Sequence, residues 1–206
     1  MKNLPPIPAE PDVNRRDSLR TAFALALPGA AATASAPAAA QPATRATTLV
    51  AFLSRSGNTR VIAGQIRRAK GADLFEIQPA PPYPEDYLEH VEQARQETLR
   101  GHRPTLAQRV QNLSGYATVY LGFPIWGETM PPPVRSFLAE HDLAGKTVIP
   151  FITHGGYGVG ASLSVLTRDA PGARIGQALV MQADQERATL ERVTQWLGGR
   201  MPARTR

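Results

Sequence analysis

The chain has 206 residues, 42% of them hydrophobic and 19% charged, which suits one domain with at most an appendage and excludes a polyelectrolyte or a polytopic membrane protein. Cysteine is absent, so disulfides, thiolate metal sites, a cysteine nucleophile and a lipidated cysteine are excluded too. Lys and Arg number 23 against 17 Asp and Glu, a net charge of +6 that favours acidic partners but is too mild and scattered to call for nucleic acid.

Residues 1–40 read as an address. From Thr21 to Thr44 there is no charged side chain and alanine dominates. Pro28, Gly29 and Pro37 interrupt the run, which argues against a membrane span. A basic stretch, Asn14-Arg15-Arg16-Asp17-Ser18-Leu19-Arg20, precedes it, and small residues at Ala38-Ala39-Ala40 offer a cleavage site. Arg15-Arg16 followed by Leu19 resembles a twin-arginine export signal, with Ser18 where an apolar residue is more usual. The alternative is an uncleaved, disordered tail. Export predicts a periplasmic or secreted protein with no stable membrane anchor after cleavage. Residues 41–46 then form a short linker, 47–199 the domain, and 200–206 a disordered basic tail.

From Thr47 strands and helices alternate. Thr48–Leu53 is a short apolar run suited to a strand buried on both faces. A helix follows with Ile62, Ile66 and Ala69 on one side and Gly71 as its stop. Ala72–Ile77 is a second strand, Pro79–Pro84 a loop, and Glu85–Leu99 a polar helix only half covered. Its His90, with Glu89 or Glu92, does not converge on one ion from consecutive positions, so a solvated face is expected. Thr118–Gly122 is a third strand. Pro131–Pro133 open a helix in which Val134, Phe137, Leu138 and His141 share a face. Lys146–Ile152 is a fourth strand, Ser162–Arg168 a short helix and Arg174–Met181 a fifth strand. A final helix, Asp184–Leu197, buries Leu190, Val193 and Leu197 and stops at Gly198-Gly199. Strands separated by helices pair in parallel, and such sheets bind ligands beyond the carboxyl ends of their strands.

Three loops at that edge are unusual. Ser54-Arg55-Ser56-Gly57-Asn58-Thr59 offers hydroxyls and amides at a helix N-terminus, fit either for a lone phosphate or for an ordinary helix cap. Neither a nucleoside-triphosphate loop nor a dinucleotide glycine fingerprint is present. Gly122–Pro131 places Trp126 where it either plugs the core or stacks on a planar ligand. Thr153-His154-Gly155-Gly156-Tyr157-Gly158-Val159-Gly160 carries four glycines, fit for tight turns or for backbone against something flat. A ligand with a monophosphate at one end and a planar ring at the other satisfies all three at once.

These three motifs, with Tyr83-Pro84-Glu85-Asp86-Tyr87, resemble the flavodoxins over essentially all of residues 47–198. The resemblance implies a flavodoxin-like α/β sandwich, a five-stranded parallel sheet of order 2-1-3-4-5 of the short-chain form, and non-covalent FMN. It places Ser54, Arg55, Ser56, Gly57, Asn58 and Thr59 on the phosphate, and Pro124, Ile125, Trp126 and Gly127 beside the isoalloxazine. It puts Thr153, His154, Gly155, Gly156, Tyr157 and Gly158 on the other side of the ring and the ribityl chain. Gly127-Glu128 stands where the group often has a second tryptophan and a glycine, which leaves Tyr157 as the second stacking ring or as a solvent-exposed loop tyrosine. The function implied is an exported FMN electron carrier whose redox partner has an acidic docking surface. An FMN-dependent NAD(P)H:quinone oxidoreductase is the alternative, and a flavin-binding scaffold without turnover is a third. No proton-transfer catalyst is assigned. A twin-arginine route, which carries folded proteins, suits a cofactor that only the folded state binds.

Overall fold

The computed structural model describes residues 47–183 and 192–198. The expected export signal, linker and basic tail, and positions 184–191 of the expected last helix, Leu190 among them, lie outside the described residues.

Six parallel strands form one sheet: β1 (Thr48–Phe52), β2 (Asp73–Glu76), β3 (Thr118–Pro124), β4 (Thr147–His154), β5 (Arg174–Ile175) and β6 (Leu179–Gln182). Their order is β2-β1-β3-β4-β5, with β6 also paired to β4. This is the flavodoxin-like sheet order that the resemblance implies. Alternation along each strand feeds two cores. Leu49 and Ala51 of β1 join Val119, Leu121 and Phe123 of β3 on one face, against Val134, Phe137 and Leu138. Val50 and Phe52 join Tyr120, Phe151 and Met181 on the other, against Ile62, Ile66 and Val193. Gly122 belongs to that second face because a side chain there would collide with the Phe151 ring across the ladder.

The fifth strand is the main departure from expectation. Arg174 and Gly176 donate to the carbonyls of Lys146 and Val148, so alternate residues of β4 face this neighbour and Pro150 is the next of them. Proline has no N–H to give. From Val148 to Phe151 β4 advances three residues, whereas the edge lane spends four, from Ile175 to Leu179. The extra residue is a bulge that splits one expected strand into β5 and β6.

Helix α1 (Asn58–Lys70) lies on the sheet through Thr59, Ile62, Ala63 and Ile66, and ends at a left-handed Gly71. Burying each isoleucine contributes about 1.5–3 kcal/mol. Ala69, expected on that face, is exposed; the buried stripe ends at Ile66. Helix α2 (Tyr87–Arg100) starts at Asp86, whose carboxylate accepts from the amides of Leu88 and Glu89 at 2.8 and 3.0 Å. It buries only His90 and Ala94. Helix α3 (Pro132–Glu140) buries the expected Val134, Phe137 and Leu138, with His141 buried just past its end. Helix α4 (Ser162–Asp169) follows β4. Residues 192–196 are helical, with Val193 fully buried and Leu197 half-buried beyond them.

β3 and β4 run two residues past their expected ends, through Phe123↔Ile152 and Pro124↔Thr153. That extension carries Pro124, Thr153 and His154 to the carboxyl edge as strand residues, held by the ladder.

Candidate functional site

The first loop closes on the head of α1. Gly57, at φ 96°, takes the left-handed turn into the helix. The Ser54 hydroxyl accepts from the amides of Gly57 at 3.2 Å and Arg60 at 3.3 Å. Asn58 donates to the Ser56 hydroxyl at 3.2 Å. The first turn of α1 carries no acidic residue, so the positive end of the helix dipole stays open to an anion. Thr59 plays another part: its hydroxyl, buried, shares a 2.9 Å hydrogen bond with that of Thr153 and ties the head of α1 to the end of β4. Arg55 reaches away from the loop, its guanidinium 5.0 Å over the Tyr87 ring and donating to the Glu85 carbonyl at 3.4 Å.

The second loop prolongs the sheet and then reverses. Ile125 donates to the Thr153 carbonyl at 2.9 Å. Trp126 and Thr129 exchange backbone hydrogen bonds of 3.1 and 3.2 Å around Gly127 (φ 55°) and Glu128 (φ 64°), a two-residue turn of type I′. A left-handed glutamate costs about 1 kcal/mol, and the third loop helps to hold it there. Ala161 donates to the Glu128 carbonyl at 2.9 Å, and Gly160 lies so close to that carbonyl that any side chain would collide with it.

In the third loop the His154 ring is the organiser. Its Nδ1 accepts from the amides of Gly156 and Gly158 at 3.1 and 3.3 Å, which fixes Nδ1 as the unprotonated nitrogen. Gly155 and Gly156 are exposed, and Tyr157 stands at the tip with 92% of its surface exposed.

Two concavities meet here. A slot of about 380 Å³ runs between Ile125–Glu128 on one side and His154–Gly158 on the other. A cavity of about 530 Å³ extends from Ser56 and Asn58 past Pro124, Trp126 and Thr153 to the face of α2. Tyr87, Ile125, Gly127, His154 and Gly155 line both. Of the expected residues, Arg55, Ser56, Asn58, Pro124, Ile125, Trp126, Gly127, Thr153, His154, Gly155, Tyr157 and Gly158 line these concavities. Ser54, Gly57, Thr59 and Gly156 do not, Thr59 instead anchoring Thr153 through their hydroxyl pair.

Tyr87, Val91, Ala94, Thr98 and Leu99 of α2 also line the larger cavity, and sequence reasoning did not find them. Their signal was the spacing of 87, 91, 94 and 98, one face of a helix otherwise read as solvated. His90 is a correction: it is 6% exposed, its ring wedged between Tyr83 at 4.7 Å and Trp126 at 4.4 Å, centroid to centroid. Trp126 thus packs at the margin of the core and lines the cavity at once. Burial, reinforced by the Glu97 carboxylate that accepts its hydroxyl, pushes the Tyr83 phenol up and keeps it protonated. Burial first, and Arg55 second, push His90 below its ordinary value of 6.5 against the opposing Pro84 carbonyl. Among the described residues no three His, Asp or Glu side chains gather as metal ligands.

The family model described as flavodoxin matches residues 47–199. Among solved structures, a flavoprotein from Bacteroides uniformis is 31% identical, with 75% of this chain and 99% of that chain covered at a TM-score of 0.66. One from Bacteroides eggerthii is also 31% identical, covering 73% and 95% at 0.64. A Lactobacillus acidophilus flavoprotein solved in complex with FMN shares the fold at 21% identity, covering 70% and 97% at 0.57. No curated protein sequence matches the chain. With the family match spanning the whole sheet, its three edge loops and their shared cavity, the chain belongs to the flavodoxin family.

Proposed function

We propose that the chain binds FMN at the convergence of its three loops and serves as an electron-transfer flavoprotein. One observation carries this reading: an uncompensated helix head and a slot walled by two backbone-rich loops open into one another. The residues present fit the cofactor. Ser54, Ser56, Gly57 and Asn58 would hold the phosphate with the amides of the first turn of α1, and the backbone of Ile125–Glu128 and His154–Gly158 would border the ring. FMN, when bound, supplies one- and two-electron transfer.

The protein contributes control of one hydrogen bond. The ends of the Trp126–Thr129 turn are tied by their own pair, and the Glu128 carbonyl is held by Ala161. The peptide between Gly127 and Glu128 is the part these bonds leave able to rotate. Rotation converts type I′ to type II′ and takes Glu128 out of the left-handed region, so either a C=O or an N–H can face the slot. Gly127→Val should freeze that choice and change the separation of the two one-electron potentials. Identical potentials in a redox titration would remove this role.

Calorimetry of FMN with the purified chain tests the main reading, and Gly160→Val is its decisive variant. It should keep the fold and lose at least about a hundredfold in affinity, since the turn beneath the slot is displaced. Undiminished affinity would overturn the site. The quinone-oxidoreductase reading needs room over the ring for a nicotinamide; NADPH-dependent quinone reduction by the protein alone would favour it. Bleaching by dithionite would count against an inert scaffold.

Export is part of the same proposal. Replacing Arg15 and Arg16 by lysine should leave FMN-loaded protein in the cytoplasm, and unaltered export would refute a twin-arginine route. Residues 41–206 keep a net charge of +5, so the redox partner proposed is acidic where it docks.

A further inference from the structure

One surface of the domain gathers positive charge that its fold does not use. Among the described residues the other ion pairs are one to one: Arg60 with Glu76, Arg95 with Glu92 and Arg109 with Glu140. At Asp169, the last residue of α4, three guanidiniums meet one carboxylate. Arg135 donates from Nε to Oδ2 at 2.7 Å and Arg168 from Nε to Oδ1 at 2.8 Å, with Arg103 3.8 Å from Oδ2. Two of the three cations are therefore left without a counter-charge. The Asp169 side chain is 5% exposed, whereas those of Arg103 and Arg168 are 44 and 62% exposed. A guanidinium carries five N–H donors. Arg135 and Arg168 each engage Nε alone, and their other donors and those of Arg103 have no acceptor among the described residues.

The cluster is held in place before any ligand arrives. Asp169 pins two of the forks. The buried Ser136 hydroxyl donates to the Pro104 carbonyl at 2.6 Å, which ties the backbone beside Arg103 to α3. Side chains already ordered lose less entropy on binding, and their free edges match the two oxygens of a carboxylate. A nucleic-acid strand would need positive charge continued along its backbone, but Arg109, at the far end of α3, is already neutralised by Glu140. The cluster also adjoins the ring slot. α3 opens directly after the second loop and α4 directly after the third, and Ala161 at the head of α4 donates to the Glu128 carbonyl at 2.9 Å. Arg168 lies about 10 Å of helix rise beyond Ala161. We propose that Arg103, Arg135 and Arg168 form the seat on which surface carboxylates of an acidic protein partner dock. This rests on the reading of the chain as an electron carrier with an acidic partner and gives that partner a place: net charge steers the encounter, and the guanidinium cluster fixes where it ends.

The probe is hexaglutamate with blocked termini, titrated calorimetrically into the full chain at low ionic strength. Replacing Arg103 and Arg168 together by glutamine should weaken its binding about tenfold and leave FMN affinity unchanged. The matched control replaces Arg67 and Arg68, exposed on the last turn of α1, by glutamine; it removes the same charge and should change hexaglutamate affinity by no more than about twofold. The peptide should also move the guanidinium ¹⁵N resonances of Arg103 and Arg168. Equal losses from the two pairs of replacements would reduce the effect to net charge and overturn the seat. Resonances that stay still while the peptide binds would do the same, as would an absence of binding. Inorganic phosphate that moves those resonances at lower concentration than the peptide would overturn an acidic protein as the occupant. FMN uptake is measured separately, so its failure would sink the flavin reading while the peptide titration still reads the cluster.

Discussion

Helices α1 and α2 look alike in outline and do opposite work. Each follows a sheet strand, they run to 13 and 14 residues, and each ends at a left-handed glycine. α1 presses four residues into the sheet and leaves its first turn free of acidic residues. α2 buries two residues and turns much of its remaining apolar surface toward the cavity. A helix whose apolar stripe faces the sheet is scaffold; one whose stripe faces a concavity is part of a site, and it gives up packing energy to be so.

The largest expected effect separates the two directly. Ile66→Ala in α1 should destabilise the fold by about 2–5 kcal/mol. Leu99→Ala in α2, 69% exposed, should cost no more than about 0.5 kcal/mol. Urea unfolding of both variants checks this, and similar losses would break the distinction.

The anchor between the first and third loops comes next. Thr59→Val leaves the buried Thr153 hydroxyl without its partner and should cost about 1–3 kcal/mol, much of it recovered when Thr153→Val is added. Additive losses in the double-mutant cycle would show that the hydroxyl pair does not couple the loops.

A smaller effect appears with pH. His141 donates from Nδ1 to the Phe137 carbonyl at 2.8 Å and accepts at Nε2 from the Val110 amide at 3.0 Å, an arrangement only the neutral ring makes. Burial pushes it below 6.5 in the folded state, so the unfolded chain binds the proton more readily. The stability it contributes is complete above the unfolded value of 6.5 and is lost progressively as pH falls below it toward the folded value. His141→Asn should flatten that acid limb. A limb as steep as the parent's would place the proton elsewhere, with His90 of α2, depressed in the same direction, the next residue to replace.

The smallest expected effect is electrostatic. At low salt an acidic electron donor should react a few-fold faster than a basic one, the difference fading as ionic strength rises. The site margin carries both signs, Arg55 with Glu128, so the domain's net charge sets the direction. Faster reaction with the basic donor would reverse the proposed partner.

Much of the scaffold is legible in residue order, and for a physical reason. Double-sided burial leaves unbroken apolar runs such as Val119–Leu121, and a helix on a sheet needs residues like Ile62 and Ile66 four apart. The three edge loops are legible because glycine and hydroxyl residues are concentrated in their tight turns. His90 was not: at one position within a polar helix, nothing local distinguishes a solvated histidine from one wedged between Tyr83 and Trp126. The split of the fifth strand was hidden likewise, since its cause, Pro150, lies in a different strand.

The sequence by itself determined the alternation of strands and helices and the three glycine- and hydroxyl-rich turns at one edge of the sheet, because these depend on periodicity and local turn residues. Tertiary structure alone decided that Thr59 meets Thr153 across 94 residues, that Gly160 must stay bare beneath Glu128 and that α2 faces the cavity. Those are contacts between segments distant in the chain, set by how the loops stack and by no periodicity within any one of them.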